Sequence, residues 1–233
     1  MAKKKKIIQQ MARKLITRAN PKSFVSEQYR TVRTNINFSV PDKELQTLLF
    51  TSASPGEGKS TTASNLAFTF ASEGKRVILI DADMRKPTVH YTFHLTNTIG
   101  LSNLLTRKAA LQDVIKDSST DNLHIITCGP IPPNPAELLG SKTMNQMIED
   151  LKSVYDLIIF DAPPVLSVTD SQILSNKCEG TVLVVSAGET EKESASKAKD
   201  LLLSSKANII GTVLNNFTLG KEHHYYQYYG TSE

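Results

Sequence analysis

The segment TSASPGEGKST, at positions 51–61, constrains the fold more than any other part of the chain. It follows an apolar run, QTLLFTS, and precedes a helix-like segment, STTASNLAFTFASEG. In this context the pattern G-x-x-x-x-G-K-[ST] predicts a phosphate-binding loop between a strand and a helix. Backbone N–H groups around Gly56, Gly58 and Lys59 are expected to form an anion site there. The pattern has one departure, because Ala53 occupies its first glycine position.

Six short apolar runs, several of them apolar throughout, alternate with helix-length segments. Such strands are typical of parallel sheets that helices cover on both faces. We therefore expect an α/β fold, a doubly wound and mostly parallel sheet of the P-loop nucleoside-triphosphatase type. A helix is expected over 23–38, with Ser23 as its N-cap and Ser26 as a second candidate, and a shorter helix is expected near Pro135. The predicted strands span 46–52, 76–83, 122–128, 156–163, 180–186 and 208–215.

Three aspartates end two of the predicted strands: Asp81 and Asp83 in VILIDAD, and Asp161 in LIIFDAP. The carboxyl ends of parallel strands line one crevice, so these side chains are expected to face the phosphates. An aspartate of the DAD motif near the γ-phosphate can accept the proton of an attacking hydroxyl, as phosphoryl transfer requires. Asp161 is expected to hold Mg²⁺ through water. For the segment 51–61, the alternative to a phosphate-binding loop is a plain Gly-Pro turn with a surface lysine. The flanking strand and helix argue against that alternative.

Basic residues are distributed unevenly. Residues 1–22 hold eight Lys or Arg and no acid, whereas the rest of the chain holds 19 basic and 23 acidic residues. Such an arm suits an anionic lipid surface or an acidic partner, and a disordered solubilising arm is the simpler alternative. Nucleic-acid binding is not expected, because the body offers no basic face to extend the contact.

Composition indicates a cytosolic protein. No apolar run approaches the roughly 18–20 residues needed to span a bilayer, and no secretory signal is recognisable. Cys128 and Cys178 lack C-x-x-C spacing and are expected to be reduced thiols. A chain of 233 residues with 39% hydrophobic content fits one domain with an ordinary core.

The C-terminal segment HHYYQYYG, at 223–230, contains four of the seven tyrosines of the chain. Rings at this density normally pack into a core, yet polar residues surround these. An aromatic tail packed onto the body is one interpretation, and a substrate segment is the other.

These motifs together resemble the bacterial tyrosine kinases (BY-kinases) of the Gram-positive type, the cytoplasmic subunits of capsule and exopolysaccharide kinases. The resemblance spans about residues 20–233. It includes EQYRTVR, which fits the E-x-x-R-x-x-R pattern of that family. Its other motifs are SASPGEGKST, ILIDADMRKPT, GPIPPNPAELL, LIIFDAPP and the tyrosine cluster.

The resemblance implies an ATP-dependent protein-tyrosine kinase that uses Mg²⁺. It implies catalytic roles for Lys59, Asp83 and Asp81, the last as the base, and metal binding by Ser60, Asp83 and Asp161. Tyr225, Tyr226, Tyr228 and Tyr229 are the implied phosphoacceptors. The implied nucleotide-binding residues are Ser54, Pro55, Gly56, Glu57, Gly58, Lys59, Ser60, Thr61 and, for adenine, Asn215.

The resemblance also implies a homo-oligomeric ring in which the tail is phosphorylated mainly between subunits. Glu27, Arg30 and Arg33 would lie at its interface, since spacings of three place them on adjoining helix faces; a solvated charged face is the alternative. Expected partners are a membrane adaptor whose cytoplasmic tail activates the kinase, protein tyrosine substrates and a cognate phosphotyrosine phosphatase. The kinase would lie at the inner face of the cell membrane, held by the adaptor, and regulate capsular or extracellular polysaccharide synthesis or export.

We expect three segments: a basic flexible arm at 1–20, a P-loop kinase domain at 21–215 and a tyrosine-rich tail at 216–233. The nearest rival is a partitioning or positioning ATPase that acts as a nucleotide switch. Those proteins carry a second lysine early in the loop, where this chain has Ser54. A scaffold in which ATP only gates assembly is a further alternative, and the full set of site residues argues against it.

Overall fold

The structure is a computed structural model that describes residues 14–40 and 44–218. The tail tyrosines and residues 1–13 therefore lie outside the described residues. The strands are β1 (Thr47–Ser52), β2 (Val77–Asp81), β3 (Ile115–Thr120), β4 (Leu123–Ile126), β5 (Leu157–Asp161), β6 (Gly180–Ser186) and β7 (Ile209–Asn215). The helices are α1 (Ile16–Ala19), α2 (Phe24–Phe38), α3 (Lys59–Ala71), α4 (Val89–Thr92), α5 (Leu101–Leu105), α6 (Leu111–Val114), α7 (Pro135–Gly140), α8 (Lys142–Lys152), α9 (Asp170–Ser175) and α10 (Lys192–Ser204).

One sheet contains all seven strands, in the order β3-β4-β2-β5-β1-β6-β7. Every neighbouring pair is parallel except β3 and β4. The doubly wound, mostly parallel α/β fold is thus confirmed, and so are the six predicted strands. The sequence did not predict β3, because IKDSST is a polar edge strand with a register shift between Asp117 and Thr120. An exposed edge needs no apolar run.

Alternate residues of the central strands face opposite layers of helices, as the pleat requires. Leu48 and Phe50 of β1 pack in the same buried cluster as Leu66 of α3, while Leu49 packs in the cluster that contains Met144 of α8. All five side chains are fully buried. Each such side chain contributes roughly 1.5–3 kcal/mol, so the two-sided core fixes the sheet and the loops at its ends.

The folded body begins earlier than the predicted boundary at residue 21. Thr17 is buried, and its N–H and hydroxyl both donate to Asn65 Oδ1, at 3.1 and 2.9 Å. The Asn65 amide donates to the carbonyls of Lys14 and Thr61, at 3.1 and 2.9 Å. Residues 14–20 are therefore packed against α3 rather than belonging to a flexible arm, because a buried asparagine binds their backbone.

Both predicted helix starts are present. Ser23 caps α2 by accepting the Ser26 N–H at 3.2 Å, and Pro135 is the first residue of α7. Among the described residues, no helix is both long and apolar enough to cross a lipid bilayer. Cys128 and Cys178 are free, buried thiols.

Candidate active site

The phosphate loop joins β1 to α3. Gly56 and Gly58 have φ angles of +92° and +93°, in the region that favours glycine. A Cβ on Gly58 would lie 2.0 Å from Asn215 Nδ2, so a side chain at this position would have to displace the Asn215 amide. Because α3 begins at Lys59, the backbone N–H groups of the loop lie at the amino end of a 13-residue helix, where an anion is bound favourably.

Two residues of the loop face the protein interior. Ala53 is fully buried in a cluster with Val165 and Leu183, which explains why a small apolar residue replaces glycine there. The Glu57 carboxylate is also buried, and it accepts the Ala53 N–H at 2.8 Å and the Thr190 hydroxyl at 2.7 Å. The Glu57 side chain therefore braces the loop, which leaves only its backbone for a nucleotide.

Lys59 joins the loop to the aspartates at the strand ends. Its Nζ lies 2.8 Å from Asp83 Oδ2, 3.5 Å from Asp161 Oδ1 and 3.3 Å from Ser60 Oγ. Burial by itself would lower the pKa of Lys59, but the negative charges of Asp161 and Asp83 outweigh it and raise the pKa. The ammonium group is therefore held charged at the end of the phosphate loop.

Asp83 uses both of its oxygens within the chain. Oδ2 binds Lys59, and Oδ1 accepts the N–H groups of Arg85 and Lys86, at 3.3 and 3.0 Å. Burial opposes ionisation, but Lys59 and these hydrogen bonds prevail and lower the pKa of Asp83. Asp83 is consequently a charged group of low proton affinity.

Asp81 and Asp161 face each other in register at the ends of β2 and β5, and both are fully buried. Asp81 Oδ2 accepts the N–H groups of Thr88 and Val89, at 3.1 and 3.0 Å, while Oδ1 has no hydrogen-bond partner. Burial and then the Asp161 charge raise the pKa of Asp81 well above its usual range. Burial likewise raises the pKa of Asp161, against the opposing charge of Lys59.

The donor set at Asp161 fits Mg²⁺. Neither carboxylate oxygen of Asp161 makes a regular hydrogen bond although both are buried, and Ser60 lies at the start of α3 beside Lys59. Within residues 14–40 and 44–218, no three His, Cys, Asp or Glu side chains surround a common point. Mg²⁺ at this place would therefore be bound by few protein oxygens, with water and phosphate completing the shell, as Mg²⁺ commonly is.

A cleft of about 1050 Å³ opens at the carboxyl edge of the sheet. The Asn215 amide, at the end of β7, donates to the Glu57 carbonyl at 3.0 Å. Ser54, Glu57, Asp81 and Asp161 are predicted site residues that do not line the cleft. The predicted residues that line it are Pro55, Gly56, Gly58, Lys59, Ser60, Thr61, Asp83 and Asn215.

Sequence reasoning did not find the ion pair between Arg85 and Asp170, which lies beside this cleft. Arg85 Nε and Nη2 donate to Asp170 Oδ2 and Oδ1, both at 3.0 Å. The sequence signal is the position of Arg85 in the motif ILIDADMRKPT, two residues after Asp83. Asp170 is 85 residues away and carries no local signal.

The three charged residues predicted for an oligomer interface differ in their surroundings. Arg30 pairs with Glu27 on the exposed face of α2 and donates to the Pro21 carbonyl at 2.8 Å. Arg33 instead is largely buried, pairs with Glu73, and donates to the Thr69 carbonyl at 3.1 Å. Arg33 therefore ties α2 to the carboxyl end of α3 within one chain.

The site defines a class of protein. A parallel sheet whose first strand leads into a glycine-rich loop, a GKS sequence and a helix, with aspartates ending two strands beside it, is a P-loop nucleotide-binding protein. A family described as an AAA domain matches residues 45–194, which contain the loop and all three aspartates.

Relatives narrow the assignment. The tyrosine-protein kinase YwqD of Bacillus subtilis (strain 168) is 50% identical over 233 residues, which are 100% of this chain and 98% of YwqD. The putative tyrosine-protein kinase CapB of Staphylococcus aureus is 42% identical over 99% of each chain. The crystal structure of the chimerical protein CapA2B2 superimposes with a TM-score of 0.85 at 41% identity, covering 89% of this chain and 93% of that one. The chain therefore belongs to the bacterial tyrosine kinase family, in its Gram-positive capsule type.

Proposed function

We propose that the chain is an ATP-dependent protein-tyrosine kinase that phosphorylates the tyrosines of its own C-terminal segment. Transfer occurs mainly between neighbouring copies in a ring and regulates capsular or extracellular polysaccharide synthesis or export. The observation that carries this proposal is Lys59 bound to Asp83 and Asp161 at the end of the phosphate loop. The similarity to proteins named as tyrosine kinases supports the same activity.

The reaction is a phosphoryl transfer from ATP to a phenol. The phenolic oxygen forms a bond to the γ-phosphorus, the bond from that phosphorus to the oxygen shared with the β-phosphate breaks, and ADP leaves. The phenolic proton passes to a carboxylate. Lys59 holds the phosphates, and loop N–H groups around Gly56 and Gly58 stabilise their charge. When bound, Mg²⁺ neutralises phosphate charge; Ser60 and Asp161 are the residues best suited to hold it, with Asp83 already engaged by Lys59.

Asp81 is our candidate for the base. A phenol has a pKa near 10, so a carboxylate with raised proton affinity accepts its proton more readily. The pKa of Asp81 is raised by burial, whereas that of Asp83 is lowered. Asp81 does not line the cleft, so residues 87–89, whose Thr88 and Val89 N–H groups bind Asp81, have to shift when substrates bind. Catalytic groups commonly reach their hydrogen-bonding distances only when substrate is bound.

Chain length permits the tail to reach a site. β7 ends at Asn215, which lines the cleft, and Tyr225 is seven residues beyond Thr218. Seven residues span at most roughly 25 Å. In an assembly, a tether of this length raises the local concentration of the tail to the millimolar range at a neighbouring cleft.

The proposed partners follow from the same family. An adaptor in the membrane would hold the kinase at the inner face, and a phosphotyrosine phosphatase would reverse the modification. The similarity to a chimerical protein, CapA2B2, is in keeping with a partner polypeptide. Glu27 and Arg30 are exposed and therefore available to a neighbouring copy, unlike Arg33.

A nucleotide switch of the partitioning type is the second candidate. The shared P-loop fold favours it, but Ser54 stands where those proteins carry an additional lysine. Ser54 also accepts the Ser52 hydroxyl with its carbonyl at 2.8 Å, away from the cleft. A switch of this type would hydrolyse ATP without forming phosphotyrosine.

Phosphotyrosine mapping by mass spectrometry tests the proposal. The protein, with the adaptor tail, ATP and Mg²⁺, is expected to gain phosphate at residues 225–229, and Asp81→Ala to lose most of it. Mixing a Lys59→Met chain with wild type tests transfer between subunits, because the inactive chain should then become labelled. Absence of phosphotyrosine in the wild type, with ATP hydrolysis intact, would favour the switch.

A further inference from the structure

Arg85 and Asp170 form a two-point ion pair that joins a buried anion to the cleft. Asp170 is fully buried and accepts from Arg85 with both oxygens, each at 3.0 Å. The Arg85 side chain remains 43% exposed and lines the cleft, two residues beyond Asp83. Such a bidentate pair fixes the plane of a guanidinium as well as its position.

The guanidinium of Arg85 has donors to spare. It carries five N–H groups, and Asp170 accepts two of them. Within the part of the chain that the structure describes, no other acceptor takes a hydrogen bond from this side chain. Three donors are therefore left for a ligand in the cleft. Anionic phosphoryl oxygens are the acceptors that a planar, fixed guanidinium suits best.

Asp170 is itself held relative to the phosphate loop. It begins α9, just after the segment 162–169 that follows Asp161. That segment is bound to β1: the Pro163 carbonyl accepts the Thr51 hydroxyl at 2.7 Å, and the Val165 N–H donates to the Ser52 carbonyl at 2.9 Å. Since β1 leads directly into the phosphate loop, Arg85 is fixed with respect to bound phosphates.

We propose that Arg85 contacts the γ-phosphoryl group of ATP and that Asp170 is a positioning residue that holds it there. This inference rests on the proposed function. Negative charge on the γ-phosphoryl oxygens changes during transfer, and a guanidinium fixed beforehand stabilises it without reorganisation. Arginines in this role accelerate other phosphoryl transfers by about 10³–10⁵-fold.

The same chemistry at the opposite end of the sheet supplies a matched control. Arg76 binds Asp156 through Nε and Nη2, at 3.3 and 2.7 Å, at the start of β2 and β5. Neither residue lines the cleft. Arg76→Lys therefore changes an arginine–aspartate pair in the same way, away from bound nucleotide.

The experiment compares Arg85→Lys, Asp170→Asn and Arg76→Lys. Affinities for ATP and for ADP are measured separately by displacement of a fluorescent nucleotide, together with kcat and KM for tyrosine phosphorylation. For Arg85→Lys we expect ATP affinity to fall about 5–10-fold, ADP affinity to change less than about 2-fold, and kcat to fall on the order of 10²-fold. Asp170→Asn should move the ATP-to-ADP ratio in the same direction, which a purely structural role would not do.

Arg76→Lys should leave the ATP-to-ADP ratio and kcat at wild-type values. The inference is overturned if Arg85→Lys, with a melting temperature comparable to that of Arg76→Lys, changes neither quantity. If the preference for ATP over ADP depends on Arg85 but no phosphotyrosine forms, the proposed kinase activity is refuted, and the contact between Arg85 and the γ-phosphoryl group is retained. If Arg85→Lys forms phosphotyrosine with the wild-type kcat and the wild-type ratio of ATP to ADP affinity, the proposed contact of Arg85 is refuted, and the proposed kinase activity is retained.

Discussion

Aspartates lie at both ends of the β2–β5 strand pair, and their surroundings differ: Asp156 directly precedes β5, whereas Asp81 and Asp161 end β2 and β5. At the amino end, Asp156 accepts three hydrogen bonds from Arg76, from its N–H, Nε and Nη2. At the carboxyl end, Asp81 and Asp161 lie beside each other, with three of their four oxygens lacking hydrogen-bond partners. Arg76 lowers the pKa of Asp156 by hydrogen bonding and charge, whereas burial raises the pKa of Asp81 and Asp161.

The difference in hydrogen bonding between the two ends indicates which aspartates serve the stability of the fold and which serve the proposed function. Buried carboxylate oxygens that lack hydrogen-bond partners cost folding free energy, so they persist where another demand keeps them. In the proposed function that demand is phosphate, metal and proton chemistry, for which carboxylate oxygens without hydrogen-bond partners are available. At the amino end, Arg76 and Asp156 do not line the cleft, and they form an exposed ion pair of a kind that contributes little to stability.

Replacing Lys59 should have the largest effect. Lys59→Met removes the cation that binds Asp83 and Asp161, so we expect phosphotyrosine formation to fall on the order of 10³-fold or more. The measurement is the initial rate of tail phosphorylation. Lys75→Met is the control at the amino end, where Lys75 only approaches Glu44 at 3.9 Å. Equal losses in the two variants would contradict the division between the ends.

Removing the charge of Asp81 should separate activity from stability. The amide of Asp81→Asn can still accept the Thr88 and Val89 N–H groups, but it cannot accept a proton from phenol. We expect the rate to fall about 10²–10⁴-fold. We also expect unfolding to need roughly 1 kcal/mol more, a rise of about 2–4 °C in melting temperature. Asp83→Asn is measured in parallel. If only Asp83→Asn loses tail phosphorylation, the base is Asp83 and not Asp81.

The pH dependence of stability should have opposite signs at the two ends. A carboxyl group whose pKa is raised on folding stabilises the fold below its unfolded pKa, and this is lost as pH rises through the folded pKa. The advantage of Asp81→Asn over wild type should therefore grow from pH 4.5 to 8, as measured by denaturant unfolding. Asp81 and Asp161 titrate as a pair, so the curve reports both. An advantage independent of pH would show that burial of charge is not its cause.

Local pattern was sufficient for the elements that have strong local signals. Apolar runs identified the central strands, and the glycine spacing identified the loop and its lysine. Strand periodicity did not separate Asp81 from Asp83, because β2 ends at Asp81 and the chain then turns. Asp81 is consequently buried beneath the cleft, whereas Asp83 lines it.

Contacts between distant segments gave no signal in the sequence. Glu57 faces inward because its partner Thr190, 133 residues away, lies next to it in the fold. Arg33 belongs to a charged motif that suggested an interface, yet it binds the carboxyl end of α3. In each case the residue type restricts the chemistry, and only the packing of the sheet decides the partner.

The smallest effect should come from the amino end. Asp156→Asn keeps an oxygen for the Arg76 N–H but loses the charge that Nε and Nη2 bind. Because the pair is exposed, we expect a fall of about 1–2 °C in melting temperature at neutral pH and no change in tail phosphorylation. The fall should shrink as the pH drops below the ordinary pKa of an aspartate and vanish below the lowered pKa of Asp156, because a carboxyl group whose pKa is lowered on folding stabilises the fold fully only above its unfolded pKa. Asp156→Asn and Asp81→Asn would then shift stability in opposite directions, and a loss of stability in both variants would mean that the aspartates at both ends serve stability.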